Sequence, residues 1–399
     1  MGSATQIDLE PRLHPPLTNG QHCRRAPISV CHLASGDAWG GAEAQLGALM
    51  RSLSKRPEVR MSAIVLNEGR LADELRGCCD VKVIPERDHS FRQIIAGTRE
   101  FLRTRNVQIV HAHRYKENVI GAIVTLGESR MKLVKTQHGQ TETLTGFAGA
   151  KQWLAHTLDR LTMRYAAARV ISVSSHLSGY LKKYVKQDRI VVIPNGLDLA
   201  GVNCGLTQAE AKKQLGIEEE IPVVGFAGRL ERVKRLDIFI HTAVQILKQI
   251  PTARFVIAGT GREELHLRQL ISDLGFSDSC TFLGYQSDTS AILRAMDVLL
   301  ITSDHEGLPM VLLEAMALGT VVVARNVGGI SEVLSHGETG ILVEGQSPAD
   351  LSRACIEALQ NKEKAEYIVR CARKVIETRF LADHNGARVV ELYTSLVTQ

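Results

Sequence analysis

Short, almost wholly apolar runs alternate with helical patterns along most of the chain, and they come in two sets. The first set reads ISVCHLA (28–34), MSAIVL (61–66), VKVI (81–84), VQIVHAH (107–113), KLVKTQH (132–138), RVISVS (169–174) and RIVVIP (189–194). The second reads VVGFAG (223–228), ARFVIAG (253–259), CTFLGY (280–285), DVLLITS (297–303), TVVVAR (320–325) and GILVE (340–344). A strand without polar–apolar alternation has both faces covered, and a helix between successive strands is the crossover that parallel pairing needs. The chain is therefore expected to be an α/β protein with two tandem doubly wound parallel sheets. Such sheets bind ligands beyond the carboxyl ends of their strands, and two of them facing each other leave a cleft.

Between the sets lies NGLDLAGVNCGLTQAEAKKQLGIEEEIP (195–222), polar, acidic and Gly-containing, which reads as a linker with a short helix. The expected organisation is a disordered tail over 1–25, a first domain over 26–196, a linker over 197–220, a second domain over 221–380 and a closing helix over 381–399. The tail lacks the apolar core of a signal peptide, and Gln6 breaks the myristoylation pattern. No apolar run reaches the ~18 residues of a membrane-spanning helix. A net charge of +5 is too mild for a nucleic-acid binder, so no nucleic acid is expected. It suits an anionic substrate or a loose contact with an acidic membrane. The eight cysteines form no C-x-x-C pair and read as free thiols in a reducing cytoplasm.

Three stretches of the second set carry chemistry. In FAGRLERVKRLD (226–237), Arg229 follows a strand at its tip and Lys234 is expected to begin the next helix. Arg offers a planar fork and Lys a mobile point charge for phosphate oxygens, though a solvated basic loop has the same composition. In VIAGTGREE (256–264), Gly259 and Gly261 either let amides approach a phosphate or simply make a tight turn. In SDHEGLPMVLLEAMALG (303–319), Pro309 fits the first turn of a helix that Gly319 ends. The start of that helix would turn free N–H groups toward a diphosphate. Glu314 then lies inside an otherwise apolar helix, which is costly unless donors reach it. A ribose diol supplies two donors without charge.

As a set, these residues resemble a known family. FAGRLERVKRLD, VIAGTG, LGY, SDHEGLPMVLLEAMALGTVVVARNVGGISEVL and GETGILV resemble the C-terminal half of family 4 glycosyltransferases. GGAEAQL (40–46), IVHAH (109–113), TQHG (136–139) and VVIPNGLD (191–198) resemble the first half, so the likeness covers roughly 27–395. It implies the GT-B fold, with an acceptor-side domain over 26–196, a nucleotide-sugar-binding domain over 221–380 and a last helix crossing back to the first domain. It implies a retaining, metal-independent transfer of a sugar from a nucleotide-diphosphate sugar to a hydroxyl of a saccharide or lipid-linked acceptor. Arg229 and Lys234 would hold the diphosphate and Glu314 the ribose. Glu306 would contact the donor sugar, with His113 beside the anomeric carbon. Amides near Leu308, Pro309 and Val311 would cradle phosphate and sugar, and Gly40 and Gly41 would let the first domain close over the donor. Asn195 falls at the interdomain junction, on the acceptor side. Cell-envelope polysaccharide, lipopolysaccharide or glycolipid synthesis is the expected setting.

His138, at the tip of KTQHG, is a further cleft candidate, while His111 is expected to point into the core and away from His113. No D-x-D motif occurs and no His pair has metal-ligand spacing near the carboxylates, so neither a metal nor a cofactor is expected. Arg103, Arg105, Lys182, Lys183 and Lys186 could form a basic, membrane-facing side of the first domain. A nicotinamide dehydrogenase would need G-x-G-x-x-G after the first strand, and SGDAWGGAE lacks it. A binding protein without activity is the other alternative, and intact Arg229, Lys234, Glu306 and Glu314 argue against it.

Overall fold

The computed structural model describes residues 26–36, 39–140 and 146–398, with side chains described throughout except over 146–152. The tail expected over 1–25 lies outside the described residues. The strands of the first half are β1 (Ile28–Ala34), β2 (Val59–Val65), β3 (Asp80–Val83), β4 (Ile109–Ala112), β5 (Lys132–Gln137), β6 (Ala167–Ser172) and β7 (Ile190–Val192). Those of the second are β8 (Val223–Ala227), β9 (Arg254–Ala258), β10 (Cys280–Gly284), β11 (Val298–Ile301), β12 (Val321–Arg325) and β13 (Ile341–Val343). Every run expected to be a strand is one.

Between and after them come α1 (Gly41–Ser54), α2 (Arg70–Arg76), α3 (Phe91–Thr104), α4 (Tyr115–Thr125), α5 (Gly146–Tyr165), α6 (Ser175–Leu181), α7 (Leu199–Val202) and α8 (Gln208–Gln214). The second half adds α9 (Leu236–Leu247), α10 (Glu264–Asp273), α11 (Ser290–Ala295), α12 (Met310–Leu318), α13 (Pro348–Gln360), α14 (Lys362–Arg379) and α15 (Ala382–Val397).

All strand pairs are parallel, in the orders β3-β2-β1-β4-β5-β6-β7 and β10-β9-β8-β11-β12-β13. In each sheet the winding reverses beside the first strand, between β1 and β4 and between β8 and β11. The crevice for a ligand opens at the carboxyl ends of those four strands. Buried Val, Ile, Leu and Ala side chains fill both sides of each sheet, as expected for strands sandwiched between helices.

The stretch read as a linker carries α7 and α8. Helix α8 packs on α11, and Lys212 Nζ lies 2.9 Å from Asp297 Oδ2. The two chain crossings between the domains run side by side: Leu197 N donates to Phe380 O (2.7 Å) and Ala382 N to Leu197 O (2.9 Å). A Cβ on Gly196 would stand 2.8 Å from Ala382 Cα, so this crossing requires glycine. Beyond it, α15 packs on α1 and β1, placing Val389, Tyr393 and Leu396 in a core with Val30, Leu49 and Leu53.

Candidate active site

Two helix N-termini meet at the crevice. Helix α1 follows β1 and α12 follows β11, and a Cβ on Gly41 would lie 3.7 Å from Met310 Cγ. Gly40, with an extended backbone, caps α1. Pro309 likewise caps α12 from just outside it rather than filling its first turn, and Gly319 closes the helix in the left-handed conformation at φ 84°. Both starts turn first-turn N–H groups and positive dipole toward the same space, those of α1 shared with the Glu43 carboxylate.

The loop before α12 is held from several directions. Arg325, buried, donates to Thr302 O (2.9 Å), Ser303 O (3.0 Å) and Asp304 Oδ1 (2.9 Å). Asn195 Nδ2 donates to Leu308 O at 2.7 Å. Expected on the acceptor side, Asn195 thus reaches from the first domain onto the loop of the second. A Cβ on Gly307 would lie 2.0 Å from His138 O, and one on Gly328 would lie 1.9 Å from Glu306 O. Leu308 is buried by this packing, and Val311 lies half-buried one residue into the helix.

Glu314 sits on α12 among Leu312, Leu313, Ala315 and Met316, all buried. No hydrogen bond or ion pair to its carboxyl occurs among the described residues. Burial, reinforced by the charge of Asp288 and opposed by Arg70, pushes its pKa up to about 7. Arg70 belongs to the first domain, stacks 3.9 Å from the Trp39 ring centre and donates to Ser287 O of the second. It therefore faces the same crevice.

Glu306 and Lys234 form one unit. Lys234 Nζ and Ser303 Oγ each donate to Glu306 Oε1 at 2.6 Å. Lys234 does not begin a helix; it ends a 3-10 turn, Arg232–Lys234, and α9 starts after Arg235. Arg229 is exposed at the tip of β8. The two glycines after β9 serve the loop beside it. A Cβ on Gly259 would lie 1.8 Å from Gly228 O, and one on Gly261 would lie 2.3 Å from Leu230 O. Close loop–loop contact is thus what demands glycine at both positions.

The first domain's side of the crevice holds a buried histidine group. His111 and His113 are two residues apart, so strand alternation sends both to the same side. Their rings lie 4.5 Å apart, which corrects the expectation that one turns away. His32 Nδ1 lies 3.0 Å from His113 Nε2, and Tyr393 Oη of α15 lies 3.4 Å from His32 Nε2 and 2.6 Å from His111 Nδ1. His111 Nε2 meets Thr136 Oγ1 at 2.8 Å. His32, His111 and His113 bring ring nitrogens within 4.8 Å of one another, a grouping that sequence spacing does not reveal. Each of their nitrogens except His113 Nδ1 has a hydrogen-bond partner, so the group is a hydrogen-bonded chain rather than a set of open lone pairs.

Tyr393 has one proton for two imidazoles. If His111 accepts it, His32 Nε2–H donates to Tyr393, His113 Nε2–H donates to His32, and His113 Nδ1 is a bare acceptor. With every bond reversed, His113 Nδ1 carries a proton. Burial lowers the pKa of all three rings, that of His32 to about 3, and holds them neutral. His138 stacks 5.7 Å from His113 and is likewise lowered to about 3.

The structure brings Gly40, Gly41, Leu308, Pro309, Val311 and Glu314 to one crevice, with Lys234–Glu306 on one side and His113–His138 on the other. Sequence reasoning missed Arg70, Arg325, His32 and Tyr393. Gly307 and Gly328, inside motifs already singled out, were the available signal for the loop packing.

This two-domain arrangement is that of a GT-B glycosyltransferase. The family model "Glycosyltransferase Family 4" matches residues 39–200, and "Glycosyl transferases group 1" matches 207–375. The chain belongs to the family 4 type of glycosyltransferases. It is 28% identical over 301 residues to the N-acetyl-alpha-D-glucosaminyl L-malate synthase of Bacillus anthracis, covering 74% of this chain and 76% of that one. It is 28% identical over 296 residues to the D-inositol 3-phosphate glycosyltransferase of Nocardia farcinica, covering 68% and 64%. The crystal structure of Anabaena HepE with UDP and glucose superposes with a TM-score of 0.80 at 22% identity, over 92% of this chain and 100% of that one, and speaks to the fold.

Proposed function

We propose that this glycosyltransferase moves a sugar from a nucleotide-diphosphate sugar to a hydroxyl acceptor with retention of configuration and without a metal ion. The observation that carries this reading is Glu314, a half-buried carboxyl among apolar neighbours without a donor among the described residues, on the helix whose N-terminus opens to the crevice. A ribose diol meets the first and a diphosphate the second. Relatives named N-acetyl-alpha-D-glucosaminyl L-malate synthase and D-inositol 3-phosphate glycosyltransferase, and a fold neighbour holding UDP and glucose, support the same substrate class.

In this reading Arg229, Lys234 and the α12 amides stabilise the departing diphosphate, the role a cation plays elsewhere. Glu306, pinned by Lys234 and Ser303, orients the donor sugar. His113, neutral and fixed by His32, lines the reacting centre beside His138. The acceptor hydroxyl attacks from the face the phosphate leaves, and its proton passes to the leaving phosphate oxygen. The acceptor is a saccharide or lipid-linked saccharide of cell-envelope polysaccharide, lipopolysaccharide or glycolipid synthesis, reached at the inner face of the membrane.

The test is nucleotide release from UDP-, GDP-, ADP- and dTDP-sugars in EDTA. Turnover of one donor, lost in Glu306→Ala and Lys234→Ala, is expected. Donor binding with no turnover in the presence of candidate acceptors would favour a binding protein, and turnover abolished by EDTA would overturn the metal-free mechanism.

A further inference from the structure

Helix α5 carries its apolar side outward. Trp153 is 66% exposed, Leu154 55%, Leu158 43%, Leu161 47% and Tyr165 71%. At helical spacing Leu154, Leu158, Leu161 and Tyr165 form one stripe, with Trp153 on its flank. The inward side is the more polar one around Asp159, which pairs with buried Lys135 and accepts from Asn118 Nδ2 at 2.8 Å. A helix covering a sheet ordinarily shows the reverse. A contiguous apolar surface of this kind marks an interaction site.

The rim of the stripe is basic. The segment that follows α6 lies beside α5: the Arg160 guanidinium lies 4.5 Å from the Tyr184 ring centre, and Arg189 Nη1 donates to Arg164 O at 3.1 Å. Lys182, Lys183 and Lys186 are exposed, and Arg164 sits 5.5 Å from the Tyr165 ring centre. None of these cations forms an ion pair among the described residues, and Asp188 is the sole acid within 175–189. Arg103 and Arg105, expected to share such a face, are instead taken up by Glu128 (2.9 Å) and Asp80.

We propose that the α5–α6 face docks on an anionic lipid bilayer. Helix α5 lies in the interface plane, with Trp153, Leu154, Leu158 and Leu161 entering it. Arg160, Arg164, Lys182, Lys183 and Lys186 meet the headgroups. A second copy fits less well, because a two-fold contact through this stripe would set the same cations against each other. The stripe also begins beside the cleft. Helix α5 follows the carboxyl end of β5, and His156 lies 5.4 Å ring to ring from Tyr115, next to Arg114 after β4. An acceptor held in the bilayer would then enter the crevice from the docked side. This deepens the lipid-linked part of the proposed function, while vesicle binding is read without turnover, so each can fail alone.

The test is co-sedimentation of the full chain with vesicles of phosphatidylcholine alone or with phosphatidylglycerol added. Binding only to the anionic vesicles, weakened by salt, is expected, with a blue shift of tryptophan emission that Trp153→Phe removes. Lys182→Gln/Lys183→Gln/Lys186→Gln should weaken binding at least ~tenfold. Leu158→Asp/Leu161→Asp should abolish it, with the circular dichroism spectrum and nucleotide release unchanged. Equal binding to both vesicles, or none, overturns the proposal. So does a dimer in sedimentation velocity that Leu158→Asp/Leu161→Asp dissociates, which would make the stripe a protein interface.

Discussion

Ionising Glu314 costs more in the folded chain than in the unfolded one, because its half-buried carboxyl is desolvated beside the apolar residues of α12, with no donor among the described residues. Its folded pKa of about 7 stands above the ordinary 4.5. For an acid shifted upward, the folded state binds the extra proton, so stability falls as pH rises from about 4.5 to about 7, by at most ~3 kcal/mol. Thermal midpoints of Glu314→Gln should lose this slope. Ribose hydroxyls favour the ionised form, so affinity for an intact nucleotide-sugar should rise with pH up to about 7, toward tenfold per unit on the acid side. Calorimetric titration at several pH values measures this, and a pH-independent affinity in wild type would place the ribose elsewhere. Lys234 and Glu306 offer a second residue-scale test. Glu306→Gln keeps shape and one acceptor while removing the charge that holds Lys234. Turnover should fall at least ~tenfold with donor affinity changed less than ~threefold, because the loss falls on the transition state. Single-turnover rates and direct binding separate the two.

At the scale of elements, the strands were readable because each is a short apolar run bounded by helical spacing, and the site helix because Pro309 and Gly319 bracket it. Glu314 was readable for the same reason, as one carboxylate in an apolar helix. What stayed hidden depends on how distant loops meet. Lys234 and Glu306 are 72 positions apart, and no local pattern says that they touch. The alternation rule did place His111 and His113 on one side once applied strictly, yet their bonds to β1 and α15 could not be read from period alone. The glycines show the same limit: sequence left ligand approach and a tight turn both open for Gly259 and Gly261, whereas these two and Gly307 are required by neighbouring carbonyls. That yields an element-scale prediction. Gly307→Ala sets a methyl 2.0 Å from His138 O and must push the two domains apart. It should lower turnover by ~tenfold or more while each domain stays folded, seen as lost activity with little change in far-ultraviolet dichroism.

At the scale of the whole molecule, α15 ties the second domain back to the buried histidine group of the first. It leaves the second domain beside the Leu197–Phe380 crossing, packs on α1 and ends its reach at Tyr393, whose hydroxyl joins His111 to His32 and through it His113. Removing that hydroxyl leaves the ring's packing in place and cuts the chain of bonds at its centre. Tyr393→Phe should therefore cost only ~1–2 kcal/mol of stability, the usual penalty for leaving buried partners unmatched. If the chain fixes which nitrogen of His113 bears the proton, turnover should fall ~fivefold or more at saturating donor with donor affinity unchanged. His32→Phe, which breaks the same chain one step nearer His113, should add little to it, since two cuts in one relay are not additive. A purely packing role for Tyr393 would instead leave turnover intact and let the two substitutions add. Steady-state kinetics of the two single variants and the double variant decide between these outcomes, because stability alone responds in both.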